Sequence, residues 1–318
     1  MSFFTVKHLD KTEPSITRHP DIHKFYLSSC QTKITNRTPT TEGWLNVLKL
    51  IKLDISDYDK SRILLGVLRN YGEIVVKIGD SDDIQKEYDI GRRLQHIKGY
   101  IKYICFFQCN DNFRNFPSPN SFTLCKGEGQ QMKVILMPYF PLGSIAGFSW
   151  LNYSIQLFHS CLKHATLSMI TAFFTLGIIH GDFHIGNVLL KKTNLKSISY
   201  HISALNFTSN IDTHGFRTWI MDFENSTMAN LSSPYDTMIT LNRFYSDLSR
   251  FFGFIQYKIQ IINPRTIAPI TRHIDLLLMN GTMINHNSLQ YLLTLIDGIQ
   301  FLPTPDSSYI HYTDRKEK

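Results

Sequence analysis

The segment Gly177-Ile-Ile-His180-Gly-Asp182-Phe-His184-Ile-Gly-Asn187-Val-Leu-Leu190 places a carboxylate and an amide five residues apart. The most apolar stretch of the chain, 165–179, runs into it, and a short apolar run that reads as a strand leaves it. Polar residues between two buried elements make a loop held at both ends. Phosphoryl transfer asks for such a loop, with a carboxylate that accepts a hydrogen bond from the attacking hydroxyl and oxygen ligands that hold Mg²⁺ against phosphates. Asp182 fits the first need and Asn187 the second. Taken alone, His180, Asp182 and His184 are equally compatible with a turn of satisfied polar groups or with three ligands of a hydrolytic metal site.

The flanking pattern narrows the choice. Residues 1–42 are polar, broken by Pro14, Pro20 and Pro39, and read as an N-terminal extension. Short β-rich runs at 44–53, 62–68 and 73–78 then predict an antiparallel meander, followed by a helix over 83–97 and strands at 100–108 and 133–137. Residues 110–131, rich in Pro, Gly, Ser and Asn, read as a loop insertion. Beyond Pro141 the period becomes helical, with helices predicted over 153–176, 235–262 and 288–299. The expectation is an α+β chain: a small antiparallel β-rich half with one helix (43–140), a larger helical half (141–303) and a C-terminal tail (304–318).

With this order in view, the loop resembles the catalytic loop of the protein-kinase-like superfamily, His-X-Asp with Asn five positions on, and Trp219-Ile-Met-Asp222-Phe223-Glu224 resembles its metal-binding Asp-Phe-Gly segment. The His-Gly-Asp start and His184 are similar to aminoglycoside phosphotransferases and choline kinases. Gly186-Asn-Val-Leu-Leu-Lys-Lys-Thr193, with Leu195, Lys196 and Tyr200, looks more like haspin, an atypical Ser/Thr protein kinase. The resemblance implies a bilobal kinase-like fold with ATP and Mg²⁺ as cofactors, and a protein Ser/Thr hydroxyl as acceptor. It makes Asp182 the residue that orients or deprotonates that hydroxyl, and Asn187 and Asp222 the metal ligands. Lys77, on the third predicted strand, becomes the contact to the α- and β-phosphates, and Glu87 its partner on the following helix, ahead of Asp83 and Asp89. Met137, Pro138 and Phe140 resemble the hinge beside adenine. Pro138 keeps the backbone C=O and Phe140 the N–H that adenine recognition uses. Asp247 matches the buried helix acid that anchors the catalytic-loop backbone.

The chain also departs from the kinase pattern. The stretch 54–61, between the first two predicted strands, has no glycine to let backbone approach phosphates. Gly181 replaces the arginine that binds a phosphorylated activation segment, and Glu224 replaces a glycine. Only 24 residues lie between Asp222 and Asp247, with no Ala-Pro-Glu among them. Two other functions stay open on these grounds: a small-molecule kinase, suggested by His-Gly-Asp-X-His, and a pseudokinase scaffold, suggested by the missing glycines and Glu224.

Composition removes some classes. With 318 residues, 43% of them hydrophobic, the chain can bury a sizeable core. Its net charge of +7 is spread without a basic block, which argues against direct nucleic-acid binding. Five scattered cysteines, Cys30, Cys105, Cys109, Cys125 and Cys161, read as reduced thiols. The start carries no secretory pattern, and 165–179 falls short of the ~20 apolar residues a membrane span needs. An intracellular chain, cytoplasmic or nuclear and without a membrane partner, is expected.

Overall fold

The structure, a computed structural model, describes residues 47–52, 61–68, 72–111, 129–230 and 232–302. The expected extension, glycine-free loop, tail, and most of the insertion lie outside the described residues. Five strands, β1 (Val47–Lys52), β2 (Ser61–Leu68), β3 (Gly72–Gly79), β4 (Cys105–Asp111) and β5 (Gln130–Pro138), form one antiparallel sheet in the order β1-β2-β3-β5-β4. In β3 the side chains of Ile74, Val76 and Ile78 alternate with Val75 and Lys77. Ile74, Val76 and Ile78 are fully buried. Lys77 points to the other face, level with Ile135 on β5, which pairs in turn with Phe106 on β4. Ile135, Phe106 and Met137 belong to the main core of the molecule, so Lys77 faces inward.

Helix α1 (Asp82–Leu94) packs on that inner face. Ser81 caps it by accepting from the Asp83 amide. It ends three residues before the predicted boundary, with Gln95 as its C-terminal cap, and the chain then turns through Gly99, whose φ is +83°. Gly91 has a separate reason to be in this helix. A Cβ there would stand 2.1 Å from the ring of Tyr103, so the ~1 kcal/mol helix penalty of glycine secures the close seat of that tyrosine.

Helix α2 (Ile155–Leu176) is largely buried, capped by Ser154 and closed by Gly177 in the left-handed conformation. Among the described residues no helix is long and apolar enough to cross a membrane. Short strands follow: β6 (Ile178–Ile179), β7 (Val188–Lys192), β8 (Ser197–Ile202), β9 (Phe207–Asp212), β10 (Phe216–Ile220) and β11 (Thr227–Met228). They pair as β6 with β11, β7 with β10 and β8 with β9, all antiparallel. Helices α3 (Pro234–Lys258), α4 (Ala268–Met279) and α5 (His286–Asp297) complete the fold. The fold is therefore mixed α and β with antiparallel sheets.

Backbone hydrogen bonds tie the segments that follow α1 and β5 to β10 and β7. Ile101 donates to the Ile220 carbonyl and Ile220 to that of Gly99, at 3.0 and 2.7 Å, and Ile145 donates to Val188 at 2.8 Å. The first two bonds fix the end of β10, three residues ahead of Phe223, against the turn after α1.

Several features differ from expectation, among them β4, which begins at Cys105 and not at residue 100. The β8–β9 hairpin and α4 were not predicted. Cys105 is disulfide-bonded, whereas Cys161 is a free, buried thiol, as read. Cysteine count and spacing do not reveal which Cα atoms a fold brings within bridging reach.

His164 on α2 is buried, with Nδ1 3.1 Å from the Tyr200 hydroxyl on β8. Burial, helped by the positive charge of Arg217, pushes its pKa from 6.5 down to about 4. A depressed histidine takes up its proton in the unfolded chain first, so stability is lost as pH falls from about 6.5 towards 4. Burial lowers His159 and His180 too, with the same sign. Between pH 7 and pH 5 His164 should account for about 2 kcal/mol of lost unfolding free energy. Urea melts of His164→Gln should show a correspondingly flatter pH dependence, and an unchanged slope would contradict the neutral buried histidine.

Candidate active site

Lys77 is 4% exposed, and an ammonium that far from water is tolerated only with anionic partners. Its Nζ donates to Glu87 Oε2 at 2.6 Å, to Asp222 Oδ1 at 3.1 Å and to Glu224 Oε2 at 3.1 Å. Burial alone would lower its pKa, but the carboxylates of Asp222, Glu87 and Glu224 outweigh this and hold it above its ordinary value. Lys77 is charged.

Glu87 is 1% exposed on the inner face of α1, and its other oxygen accepts from the Tyr103 hydroxyl at 2.7 Å. Burial raises its pKa, while Lys77 and Tyr103 act in the opposite direction. The alternatives Asp83 and Asp89 are exposed, bonded to Ser81 and Gln85. Sequence reasoning left Tyr103 unassigned, yet the space made by Gly91 and this hydroxyl fix the glutamate.

Asp222 follows β10 with a φ of +69°, a left-handed conformation that aspartate tolerates better than most residues. Glu224 has no such φ, so the position where the kinase pattern carries glycine makes no demand for one here. Between them Phe223 is fully buried, its ring 5.8 Å from Tyr100, 5.9 Å from Tyr103 and 5.6 Å from His180. This aromatic contact ties the segment after α1 to the loop of Asp182.

The loop 180–187 is built on the face of α3. Asp247, buried, accepts from the amides of Gly181 at 2.8 Å and Phe183 at 3.2 Å. Gly181 has a φ of +81°, and a Cβ there would lie 2.2 Å from the carbonyl oxygen of Asn225, so no side chain, arginine included, fits. Arg250, one turn beyond Asp247, reaches in instead. Its Nη1 donates to the Gly181 carbonyl and to Asp182 Oδ1, each at 2.9 Å. Farther along, Phe251 stacks on Phe183 at 4.4 Å and Phe254 on the ring of His184 at 5.1 Å.

Asp182 is half-buried. Its Oδ2 lies 3.5 Å from His184 Nε2, and His184 Nδ1 accepts from the Gly186 amide, which leaves the proton on Nε2 facing Asp182. The contact with His184, then the charge of Arg250, hold the Asp182 carboxyl below its usual pKa against the effect of burial. Asn187 donates its amide N–H to the Asp182 carbonyl at 3.0 Å, an arrangement in which its Oδ1 could serve a ligand, and its own carbonyl accepts from Met221 at 3.0 Å, one residue before Asp222. His180 also bonds the Met221 carbonyl, at 2.9 Å. Met137 and Pro138 close β5 opposite Val75 and Ile74, and buried Phe140 lies 6.0 Å from the Trp219 ring.

The carboxylates that surround the Lys77 ammonium could also hold a hard cation. Glu87, Asp222 and Glu224 offer carboxylate oxygens within 4.8 Å of one another, with Asn187 bonded to the residue preceding Asp222. Arg250 and Tyr103 are the contributors that sequence reasoning missed. Arg250, three residues after Asp247 and four before Phe254, was visible only as part of one helix face.

Over 70 residues the chain is 43% identical to the serine/threonine-protein kinase haspin of Mus musculus, a match covering 22% of this chain and 9% of that protein. Over 108 residues it is 33% identical to the serine/threonine-protein kinase haspin of Bos taurus, covering 34% of this chain and 13% of that protein. The matched segments thus span about a tenth of those relatives' length. No protein-family model matches the chain. The similarity supports a distant haspin-like kinase relationship.

Asp247→Ala should strip the loop amides of Gly181 and Phe183 of their acceptor, lowering unfolding free energy by about 3 kcal/mol in denaturant melts. A loss below about 0.5 kcal/mol would mean that water or another acceptor replaces the carboxylate.

Proposed function

We propose that the chain is an ATP- and Mg²⁺-dependent phosphotransferase of the protein-kinase kind, moving the γ-phosphoryl group to a Ser or Thr hydroxyl of a protein. The observation that carries this reading is the bonded cluster of Lys77, Glu87 and Asp222, drawn from three separate parts of the chain, beside the loop of Asp182 and Asn187. The haspin-like similarity favours a protein acceptor over a small molecule. In this reading the five-stranded sheet region and the helical region are two lobes, 43–140 and 141–303.

Each residue then has a task. Lys77 binds the α- and β-phosphates, and Glu87, fixed by Tyr103, aims it. Met137, Pro138 and Phe140 border the adenine, through the backbone C=O of Pro138 and N–H of Phe140. Asn187 and Asp222 hold Mg²⁺, which when bound neutralises charge developing on the phosphates. Asp182 accepts the hydrogen bond of the acceptor hydroxyl and aligns it for in-line attack. A carboxylate held below its usual pKa is a weak base, so its contribution is chiefly orientation.

One observation favours a second reading, a non-catalytic scaffold. The three N–H bonds of the Lys77 ammonium are all taken by carboxylates, and Glu224 must release its share before a phosphate oxygen can bind there. Mg²⁺-dependent ATP binding separates the two readings.

ATP with Mg²⁺ should raise the melting temperature, and Asp222→Ala should abolish that shift, since a ligand stabilises only through its affinity for the folded state. No shift in the wild-type chain would favour the scaffold.

With labelled ATP and a panel of proteins, amino alcohols and aminoglycosides, label should enter proteins at Ser or Thr. Asp182→Asn should reduce transfer by at least about 100-fold with ATP binding retained, and Lys77→Met should reduce both. Activity of Asp182→Asn within a few-fold of wild type would remove Asp182 from the chemistry, and label entering only small molecules would reassign the acceptor.

A further inference from the structure

We infer that Arg250 is a positioning residue for the Asp182 carboxylate, an inference that rests on the phosphotransfer reading. An aspartate side chain ends in a soft torsion, so a half-buried carboxylate needs an external hold to keep one orientation. Arg250 supplies it from α3. A single nitrogen, Nη1, carries two hydrogens and donates them to the Gly181 carbonyl and to Asp182 Oδ1, each at 2.9 Å. The carboxylate is thereby referenced to the backbone of its own loop.

The second oxygen has the weaker hold, His184 Nε2 at 3.5 Å. That ring is also set by α3, because Phe254 stacks on it with an interplanar angle of 17° while the Gly186 amide occupies Nδ1. Arg250 and Phe254 are four residues apart on one helix face, and Asp247 on the same face fixes the loop amides. The helix thus holds backbone and carboxylate together.

The geometry is one for arginine. The planar guanidinium presents two hydrogens from one nitrogen along fixed directions, whereas a lysine ammonium on a flexible stem sets no plane. The side chains of Arg250 and Asp182 are 39% and 33% exposed, so their contact adds little to stability, as solvent-screened pairs generally do. Its value lies in orientation, where a displacement of about 1 Å can cost about 100-fold in rate.

The test is steady-state transfer from labelled ATP to a Ser/Thr peptide library by Arg250→Ala and Arg250→Lys, with and without methylguanidine. Arg250→Ala should lower kcat about 10- to 100-fold with KM for ATP within about two-fold of wild type. Arg250→Lys should recover little of this, and methylguanidine should raise kcat several-fold in Arg250→Ala but not in wild type. Activity near wild type, a loss carried by the KM for ATP, or a loss that tracks melting temperature without methylguanidine rescue would overturn the inference. A crystal structure of Arg250→Ala gives a readout that does not depend on activity: the Asp182 carboxylate should leave its present orientation, and an unmoved carboxylate overturns the positioning role. Absence of transfer by the wild-type chain to any acceptor would instead sink the phosphotransfer reading, with the crystal structure still deciding the role of Arg250.

Discussion

The buried ammonium of Lys77 is the constraint on which the rest of the site depends. A charge in the interior costs several kcal/mol unless its partners are close and well placed. Here they come from α1, through Glu87, and from the segment after β10, through Asp222 and Glu224. None of these carboxylates is near Lys77 in sequence except Glu87. The sheet, the helix on its inner face and the segment 222–224 must therefore be assembled together for the lysine to be satisfied at all. The buried ring of Phe223, in contact with Tyr100, Tyr103 and His180, supplies the apolar part of the same junction. Around Lys77 negative charge exceeds positive, which is the electrostatic setting for a divalent cation or for a site that must discharge a carboxylate before it receives an anion.

The second half of the site depends on one helix. Asp247, Arg250, Phe251 and Phe254 recur at helical spacing on α3 and meet, in turn, the loop amides, the Asp182 carboxylate, the Phe183 ring and the His184 ring. A loop of irregular backbone has few internal hydrogen bonds with which to hold a shape. Borrowing the rigidity of a 25-residue helix solves that problem, and explains why the polar residues of 180–187 are ordered although the loop contains two glycines.

Much of this was legible in the sequence because the signals were local. The strand pattern around Lys77, the helix after it and the apolar length of α2 follow from periodicity, and the structure brings Lys77 and Glu87 together on the first two. The β8–β9 hairpin was missed although Ile198, Tyr200 and Ile202 alternate with Ser197, Ser199 and His201, because a lysine-rich approach and an expectation of helix masked a six-residue strand. Helix α4 buries only Ile270 and Ile274, too thin a stripe for periodicity to reveal. Arg250 was hidden for a different reason. Its contact with Asp182 spans 68 residues of sequence, and only the fold makes neighbours of the two.

The departures from the kinase pattern also become physically intelligible. Gly181 leaves no room for the arginine of that pattern, but a guanidinium still reaches the loop, from Arg250 on α3, and it bonds the Asp182 carboxylate. At Glu224 the lost glycine costs no backbone strain, because the left-handed turn falls at Asp222. What the substitution changes is charge: a third carboxylate on Lys77, 40% exposed and so the one of the three most open to solvent. A screened partner exchanges more readily than a buried one. Of the three carboxylates, Glu224 is thus the one a phosphate oxygen would displace, while Glu87, buried and fixed by Tyr103, stays with the lysine in either state.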